Sequence, residues 1–446
     1  MNRWLLPLLL VLTGGCPSEQ PPEDDPFHDP LSRPAEPTLD PADFETSDDC
    51  VGCHPDQVAD WQTSSHAYAM VDPVFRALVE IRQDDFDGTQ DPFCTQCHSA
   101  IGTRGGEIVD GFHWSDLSEV TLEGVTCTAC HSVSHLERAS NSGHVLDPGG
   151  PLRGPFSDPE PSSAHESVGT DLLGTASFCG GCHDVIELDG LNLERPFAEW
   201  QESPAAEEGR PCQTCHMPTR TGPATNQGTR DRTLRSHRFV GVDLPLLEGF
   251  LTPEEELQKL IEAEQLLATA ATLLVEPGPF VPGEQLDLYV TVQNDIDAHN
   301  LPTGSTFIRQ LWVELTARDA EGTVLYRTGD LDAAGDLRDH WSELDPYGDE
   351  DLLSFASNLV DEAGNPELFP WRAAEHTSAS LAPLYARTAT LFVPTAGAAA
   401  GPLTVEARLR FRPYPPHLLR ALGLGDAISR VPIIDLDAVT LEVPAP

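Results

Sequence analysis

Apolar and polar positions divide the chain into three parts with different periodicities. The longest apolar run, Trp4 to Leu12, follows the short basic start of the chain, Met1 to Arg3. Segments rich in Gly, Pro and Ser, such as residues 141–163, interrupt the middle of the chain and predict only short helices there. Regular periodicity begins beyond Gly249. The pattern therefore predicts a multidomain α+β protein with a mostly helical and irregular region over residues 44–249.

The last part predicts one helix followed by a β domain. Thr252, Pro253 and Glu255 form a capping box, and apolar residues at helical spacing predict a linker helix over 250–276. Alternating runs then predict six or seven strands, typical of a β-sandwich over 277–446, with an immunoglobulin-like arrangement as one option. Six of these strands are Leu286 to Val292, Leu311 to Ala317, Val324 to Tyr326, Ala389 to Val393, Leu403 to Phe411 and Ala438 to Val443.

The N-terminus has the anatomy of an export signal over residues 1–15 and not that of a membrane helix. Cys16 after the small residues Gly14 and Gly15 resembles a bacterial lipoprotein signal, which implies lipidation of Cys16. Thr13 stands where a branched apolar residue is usual, so ordinary secretion stays open. Residues 16–43 predict a tether, since positions 17–43 hold eight prolines and eight acidic residues.

The overall charge restricts the partners. The chain has 26 Lys and Arg against 72 Asp and Glu, a formal net charge of −46. We expect no nucleic-acid partner, because phosphate binding needs clustered basic residues. An acidic surface would steer a basic redox partner, with an on-rate that falls as salt rises.

The cysteines carry the chemistry. One of the eleven is Cys16, and the other ten form five Cys-x-x-Cys-His motifs. Zinc knuckles and Cys-x-x-Cys disulfides use the same cysteine spacing, but neither needs His directly after the second Cys. In this motif the two thiols form thioethers to haem and the imidazole reaches the iron. The five motifs are Cys50-Val-Gly-Cys53-His54, Cys94-Thr-Gln-Cys97-His98, Cys127-Thr-Ala-Cys130-His131, Cys179-Gly-Gly-Cys182-His183 and Cys212-Gln-Thr-Cys215-His216.

Five covalently attached haem c groups would share the 167 residues from Cys50 to His216. That is too little protein to build a separate core around each macrocycle, so the haems themselves must form the core. Each iron also needs a distal ligand. Met217 directly follows a motif His, and only Met70 is free to ligate, whereas eleven histidines lie outside the motifs. Bis-histidine haems of low potential are therefore expected.

At this point the sequence resembles the multihaem c-type cytochromes, which include the tetrahaem electron carrier of ammonia oxidisers and, more distantly, the pentahaem nitrite reductases. The resemblance covers most of the exported chain. The stretches that carry it are Trp61-Gln-Thr-Ser64-Ser65-His66-Ala67, Gly124-Val-Thr-Cys127, Leu146-Asp-Pro-Gly149 with Arg153-Gly-Pro155, His165 with Ser177-Phe-Cys179, Glu199-Trp200 with Ser203-Pro204, Cys215-His216-Met217-Pro218, Ser236-His237-Arg238-Phe239 and His299-Asn-Leu-Pro302-Thr303-Gly304.

The resemblance implies four distal ligands for the five irons, namely His66, His165, His237 and His299. It also implies that a loop of the C-terminal domain returns His299 to a haem. The fifth distal ligand stays open between His144 and His135, and a five-coordinate iron is a further option. His28, His113, His340, His376 and His417 have no such context, and we expect them to be ordinary histidines.

Two functions remain. The first is low-potential electron transfer in the bacterial cell envelope, in the periplasm or at the cell surface, with redox proteins as partners and a lipid anchor on Cys16 at the outer membrane. The second is a reductase of nitrite, hydroxylamine or a sulfur oxyanion that binds its substrate at one five-coordinate haem. The resemblance implies a Cys-x-x-Cys-Lys motif for the second function, and the sequence has none. We therefore favour electron transfer and assign no catalytic residue.

Overall fold

The computed structural model describes residues 36–444. The predicted signal peptide over residues 1–15, Cys16 and most of the predicted tether lie outside the described residues. Across residues 36–444, no helix has both the length and the apolar character needed to cross a bilayer.

Residues 44–249, here called the N-terminal region, fold into short elements. Ser64, Thr126 and Thr175 each cap one of the short helices through a side-chain oxygen. The helices are α1 (Ser47–Val51), α2 (Pro55–Gln62), α3 (Ser65–Tyr68), α4 (Pro73–Asp85), α5 (Pro92–His98), α6 (Ala100–Arg104), α7 (Glu119–Leu122), α8 (Cys127–His131), α9 (Ala176–Gly180), α10 (Pro196–Gln201), α11 (Pro204–Glu207) and α12 (Gln213–His216).

Four pairs of short strands complete the N-terminal region. The β3–β4 pair is parallel and the other pairs are antiparallel. The strands are β1 (Val133–Leu136), β2 (His144–Leu146), β3 (Leu152–Gly154), β4 (Ser167–Gly169), β5 (Val185–Ile186), β6 (Asn192–Glu194), β7 (Thr219–Pro223) and β8 (Asp231–Arg235). No large sheet organises the described part of this region, which agrees with the expected scarcity of regular structure.

The end of the predicted tether is part of the folded region. The backbone N–H groups of Thr38 and Leu39 both donate to the carbonyl of Arg104, each at 3.0 Å. Leu39 and Phe44 pack in one apolar cluster with Ile101. A tether that extends to residue 43 is therefore too long, because these apolar and backbone contacts fix its last residues on α6.

The predicted linker helix is shorter than expected. Helix α13 runs Pro253–Leu267 and has the predicted capping box between Thr252 and Glu255. Strand β9 (Ala271–Val281) then occupies the rest of the predicted range. Its first residues alternate between buried and exposed and pair with strand β10 (Gln285–Asn294), so sheet pairing overrides the apparent helical spacing.

Together with β10, the other strands of the C-terminal region, residues 250–444, include all six that the pattern predicts. A three-stranded sheet has the order β16–β10–β9, a four-stranded sheet has the order β12–β11–β17–β18, and a small third sheet has the order β14–β13–β15. The bounds are β11 (Gln310–Arg318), β12 (Val324–Thr328), β13 (Ser357–Val360), β14 (Pro366–Glu367), β15 (Glu375–Ser378), β16 (Ala386–Pro394), β17 (Leu403–Arg412), helix α14 (Pro416–Ala421) and β18 (Ile434–Val443).

One apolar core joins the two larger sheets. Leu288 and Val290 of β10 and Leu315 and Leu409 of the four-stranded sheet are fully buried in it. A second cluster joins the N- and C-terminal regions, with Val74 of α4 packed among residues such as Phe369 and Leu418. The two regions therefore share an apolar boundary.

Candidate functional site

Each of the five motifs forms one helical turn. Cys94 to His98 lies in α5, and Cys127 to His131 is α8 itself. In the other three motifs the N–H of the motif His donates to the carbonyl of the first Cys, at 2.8 to 3.1 Å. One turn puts both thiols and the imidazole on the same side of the backbone, as attachment to one macrocycle requires.

Four motif histidines face a second imidazole from a distant part of the chain. The four ring-centroid distances lie between 6.2 and 6.4 Å. The pairs are His54 with His165, His183 with His66, His131 with His237 and His216 with His299. All four distal candidates from the sequence are therefore opposite a motif histidine.

The spacing of these pairs fits an iron between the two rings. A metal–imidazole bond is about 2.0 Å long and the ring centroid lies about 1.2 Å behind the bonded nitrogen, so two axial imidazoles have centroids about 6.3 Å apart. Direct stacking of two rings would need a shorter distance. The pairs thus have the separation that haem iron requires between two axial imidazoles, although the rings come from four unrelated segments.

Backbone carbonyls orient the motif imidazoles. Nδ1 of His54 donates to the Ala224 carbonyl at 3.0 Å, and Nδ1 of His98 donates to that of Ala69 at 2.9 Å. His131 and His216 donate in the same way, to Arg153 at 2.5 Å and to Val240 at 2.7 Å. Donation by Nδ1 leaves the lone pair on Nε2, which is the arrangement of a metal-ligating histidine.

The stretch around Trp61 positions His66. The Trp61 indole N–H donates to the carbonyl of Val125 at 2.7 Å, and the N–H of Val125 donates to the carbonyl of His66 at 3.1 Å. Gly124 has φ +81°, and a Cβ on it would lie 2.6 Å from the His66 carbonyl oxygen. Only glycine fits this close approach, which ties α3 to the turn before the third motif.

Two carboxylates hold the loops that carry His237 and His299. Asp60 of α2 accepts the Ser236 hydroxyl at 2.8 Å and the His237 N–H at 3.0 Å. Glu199 of α10 accepts the backbone N–H and the side-chain amide of Asn300, each at 3.1 Å, and also the hydroxyl of Thr303. The sequence did not assign these roles, although Glu199 belongs to one of the stretches that carry the family resemblance.

His165 belongs to a surface loop. It lines a cavity of about 490 Å³ together with residues such as Pro159, Glu160 and Val168. A smaller cavity of about 110 Å³ lies between His165 and Thr128 of the third motif. The pair of His54 and His165 is therefore open to the surface of the N-terminal region through these cavities.

Burial favours the neutral form of several of the paired imidazoles. Burial lowers the pKa of His66 to about 3 and the pKa of His237 and His299 to about 4. Burial also lowers the pKa of His131 and His216, although the carbonyl bonds of their Nδ1 atoms oppose the shift. Metal ligation needs the neutral ring, so the site favours that form at physiological pH.

His98 differs from the other motif histidines. Its ring stacks on Phe75 with a centroid distance of 3.6 Å, and no imidazole within residues 36–444 faces it as in the four pairs. Met70 is fully buried in the same cluster as Phe75, next to Ala69, whose carbonyl accepts the His98 Nδ1 proton. Met70 therefore follows directly the residue that orients His98.

The structure does not support His144 as the fifth distal ligand. Its Nε2 lies 2.8 Å from the Phe178 carbonyl and must donate to it, and its ring packs on the fourth motif at Gly181 and Cys182. With Nε2 donating, the lone pair of this ring is on Nδ1, which lies 3.7 Å from Cys182 Sγ, so His144 instead fastens the turn of the fourth motif. His135, the other candidate, is exposed and bonds with Ser134.

The motifs lie close to one another. Three pairs of thiols from different motifs are within hydrogen-bonding reach, namely Cys50 with Cys127, Cys97 with Cys182 and Cys179 with Cys212. The first motif therefore neighbours the third, while the fourth neighbours both the second and the fifth.

Sequence comparisons identify proteins that this chain resembles. Residues 49–132, which contain the first three motifs, match the family model "Cytochrome c554 and c-prime". Cytochrome c-554 of Nitrosomonas europaea is 29% identical over 117 residues, 24% of this chain and 47% of that protein. The chain thus spans about half the length of this relative.

The fold has a relative among solved structures. A penta-haem cytochrome c552 from Thermochromatium tepidum superposes with a TM-score of 0.62, at 21% identity, over 91% of this chain and 100% of that one. This likeness concerns the fold and extends well beyond the family match. The motif turns, the imidazole pairs and the sequence match together support a place for this chain among the multihaem c-type cytochromes, with haem c as the cofactor.

Proposed function

We propose that the protein is a pentahaem electron-transfer cytochrome with one haem c on each motif. The four imidazole pairs at 6.2 to 6.4 Å carry the proposal, because that separation suits two ligands of one iron. Cys50 and Cys53 would hold the first haem, and the corresponding pairs would hold the others, namely Cys94 and Cys97, Cys127 and Cys130, Cys179 and Cys182, and Cys212 and Cys215. Covalent haem supplies one-electron chemistry between the ferrous and ferric states.

Histidine ligation at the paired sites supports a low reduction potential. Histidine as second axial ligand gives a lower potential than methionine. The imidazoles of His66, His237 and His299 are neutral at physiological pH and oriented by their loops. The proposal therefore assigns His54, His131, His183 and His216 as motif-side ligands, with His165, His237, His66 and His299 opposite them.

The proximity of the thiols supports a branched order of haems. The first and third motifs are neighbours, and so are the fourth and fifth and the fourth and second. Phe239 contacts the distal histidines of the third and fourth motifs. Electrons would thus pass between the first, third and fourth haems, with the second and fifth attached to the fourth.

Haem stoichiometry and spin state test this function. We expect five haems per chain by mass spectrometry of the purified holoprotein. Electron paramagnetic resonance should give four low-spin ferric signals from the pairs and a different signal from the haem on His98. Fewer than four low-spin irons, or fewer than five haems, would refute the proposed ligand set.

A second candidate function is reduction of a small substrate at the haem on His98. The specific support is that His98 stacks on Phe75 and faces no second imidazole from residues 36–444. An iron without a distal ligand could bind nitrite, hydroxylamine or a sulfur oxyanion. Turnover of these substrates by the fully reduced holoprotein, with the His299→Ala variant as a second open iron for comparison, would favour this function. Five low-spin signals would exclude it.

We further propose export to the periplasm or the cell surface, with Cys16 as the lipidation site and other redox proteins as partners. The apolar segment from Trp4 to Leu12 and the position of Cys16 support this location. The net charge of −46 supports a basic redox partner and no nucleic acid. Labelling with a radioactive fatty acid should mark the wild type and not Cys16→Ser, and electron transfer to a basic cytochrome should slow as salt rises.

The C-terminal region fits a β-sandwich in this proposal. One apolar core shared by the three-stranded and four-stranded sheets supports two layers packed face to face. The loop after β10 would then serve electron transfer by supplying His299 to the fifth haem.

A further inference from the structure

Phe239 occupies an unusual backbone position. Its φ is +46°, in the left-handed region that aromatic residues rarely adopt. Hydrogen bonds fix the chain on both sides. Before it, the N–H of His237 donates to Asp60 at 3.0 Å, and after it, the N–H of Val240 donates to the carbonyl of His216 at 3.0 Å. The strain is therefore sustained by the same contacts that hold the haem ligands.

The ring of Phe239 meets two imidazoles at once. Its centroid lies 4.3 Å from that of His66, with the planes at 69°, and 5.7 Å from that of His237, with the planes at 85°. His66 faces His183 of the fourth motif, and His237 faces His131 of the third. One side chain thus contacts the distal imidazoles of two different pairs in edge-to-face geometry, the preferred arrangement of aromatic rings.

We propose that Phe239 is a positioning residue that fixes the rotation of the His66 and His237 imidazole planes, which face the fourth and third motifs. The proposal rests on the ligand assignment made above. An edge-to-face neighbour restricts rotation of an imidazole about its bond to Cβ, which hydrogen bonds to the backbone of the same residue do not. His237 has particular need of it, because its buried Nδ1 makes no well-formed hydrogen bond within the described residues, although the Arg235 carbonyl lies near its ring.

The strained backbone of Phe239 supports this positioning role. An ordinary packing position would relax out of φ +46°, whereas here the anchored neighbours keep the ring between the two imidazoles. Glycine tolerates this φ without strain. A Phe239→Gly variant therefore keeps the backbone path while it removes the ring, and Phe239→Leu keeps apolar bulk without an aromatic edge.

The test uses the full holoprotein and electron paramagnetic resonance, because the orientation of axial imidazole planes sets the g values of low-spin ferric haem. Variants His66→Ala and His237→Ala identify the two signals by removing one each. In Phe239→Leu and Phe239→Gly we expect those two signals to shift, the other two to stay, and the haem count to stay at that of the wild type. Phe239→Tyr, which restores an aromatic edge, should return the signals to wild-type values.

The matched control is Phe369→Leu, which removes a buried ring that stacks on Trp371 at 5.3 Å in the C-terminal region. Unchanged signals in both ring-deleting Phe239 variants would overturn the proposal, and so would equal shifts of all signals or the same shifts in the control. A wild-type spectrum without four low-spin signals would instead refute the ligand assignment, so the two failures are distinguishable.

Discussion

The N- and C-terminal regions are held together by different means. In the C-terminal region 27 buried apolar residues form one core between its two larger sheets. Within the described part of the N-terminal region, the buried apolar residues form separate clusters of seven, six and three, each beside a different set of motif turns. A polypeptide core explains the stability of the C-terminal region. The N-terminal region needs its cofactors to fill the space between its elements, as the sequence predicts for five haems in 167 residues.

Removal of haem should produce the largest difference in stability between the two regions. In the full chain made without haem attachment, we expect amide protons of β10, β11 and β17 to stay protected from exchange. Those of α2, α5 and α8 should exchange freely, because the apolar clusters beside them are too small to offset the entropy of folding. Hydrogen exchange with mass spectrometry measures both regions in one sample, with the holoprotein as control. Protected N-terminal helices in the haem-free chain would contradict the view that this region needs haem as its core.

The extent of prediction also differs between the regions. In the C-terminal region, alternation predicted six strands, but β9 was hidden in the linker helix because Leu267 and Ala271 also suit helical spacing. In the N-terminal region, spacing alone located every motif turn. Which histidines face each other depends on long-range contacts, such as that between Asp60 and His237, and local sequence carries no signal for them.

The loop with His299 brings an imidazole of the C-terminal region opposite the fifth motif of the N-terminal region. His299→Ala should convert the haem of the fifth motif from low spin to high spin, because the imidazole at 6.3 Å from His216 would be lost. Electron paramagnetic resonance should show one low-spin signal fewer. His340→Ala, a histidine of the C-terminal region that packs on Trp341, is the control and should leave the spectrum unchanged. An unchanged spectrum of His299→Ala would mean that His299 is not a haem ligand and that only packing and polar contacts join the regions.

The apolar boundary between the regions contains an unusual carboxyl group. Burial, together with the nearby Asp243, raises the pKa of Asp72, the N-cap of α4, to about 7. Arg309 of the C-terminal region also faces this carboxyl but bonds directly to Asp243, at 2.6 Å. Tyr68 and Tyr414 are the other titratable groups beside it.

This shift predicts how the boundary responds to pH. The folded pKa lies above the unfolded value of 3.8, so the contribution of Asp72 to stability is complete below about pH 4 and is lost as pH rises to about 7. Asp72→Asn stays neutral and still caps the helix. Its free energy of unfolding, measured in urea, should therefore exceed that of the wild type at pH 8, by up to about 4 kcal/mol, and match it near pH 4.

Asp85, at the other end of α4, gives a control of opposite sign. Its hydrogen bonds with Arg372 lower its pKa, so its contribution is present above the unfolded pKa and is lost as pH falls. Asp85→Asn should therefore be less stable than the wild type at pH 8, with a difference that shrinks in acid. Equal pH profiles for the two variants would contradict a boundary in which burial governs one carboxylate and an ion pair governs the other.

The smallest expected effect comes from Glu199, which links the N-terminal region to the loop that carries His299. Burial raises the pKa of this carboxyl, and as a carboxylate it accepts two bonds from Asn300 beside His299. In Glu199→Gln one acceptor oxygen becomes a donor that faces donors, which should cost about 1–2 kcal/mol in stability. The loop would then hold His299 less firmly, so a partial high-spin fraction should appear at the fifth motif and grow on warming.

The size of this fraction relative to that in His299→Ala shows how much the contact between the regions, beyond the imidazole itself, contributes to ligation. Glu202→Gln, an exposed position just after α10, removes the same charge and should leave the spectrum as in the wild type. If Glu199→Gln also had no high-spin fraction, the ligand would be held by the C-terminal core alone. The N-terminal region would then depend on its neighbour for an imidazole but contribute nothing to its position.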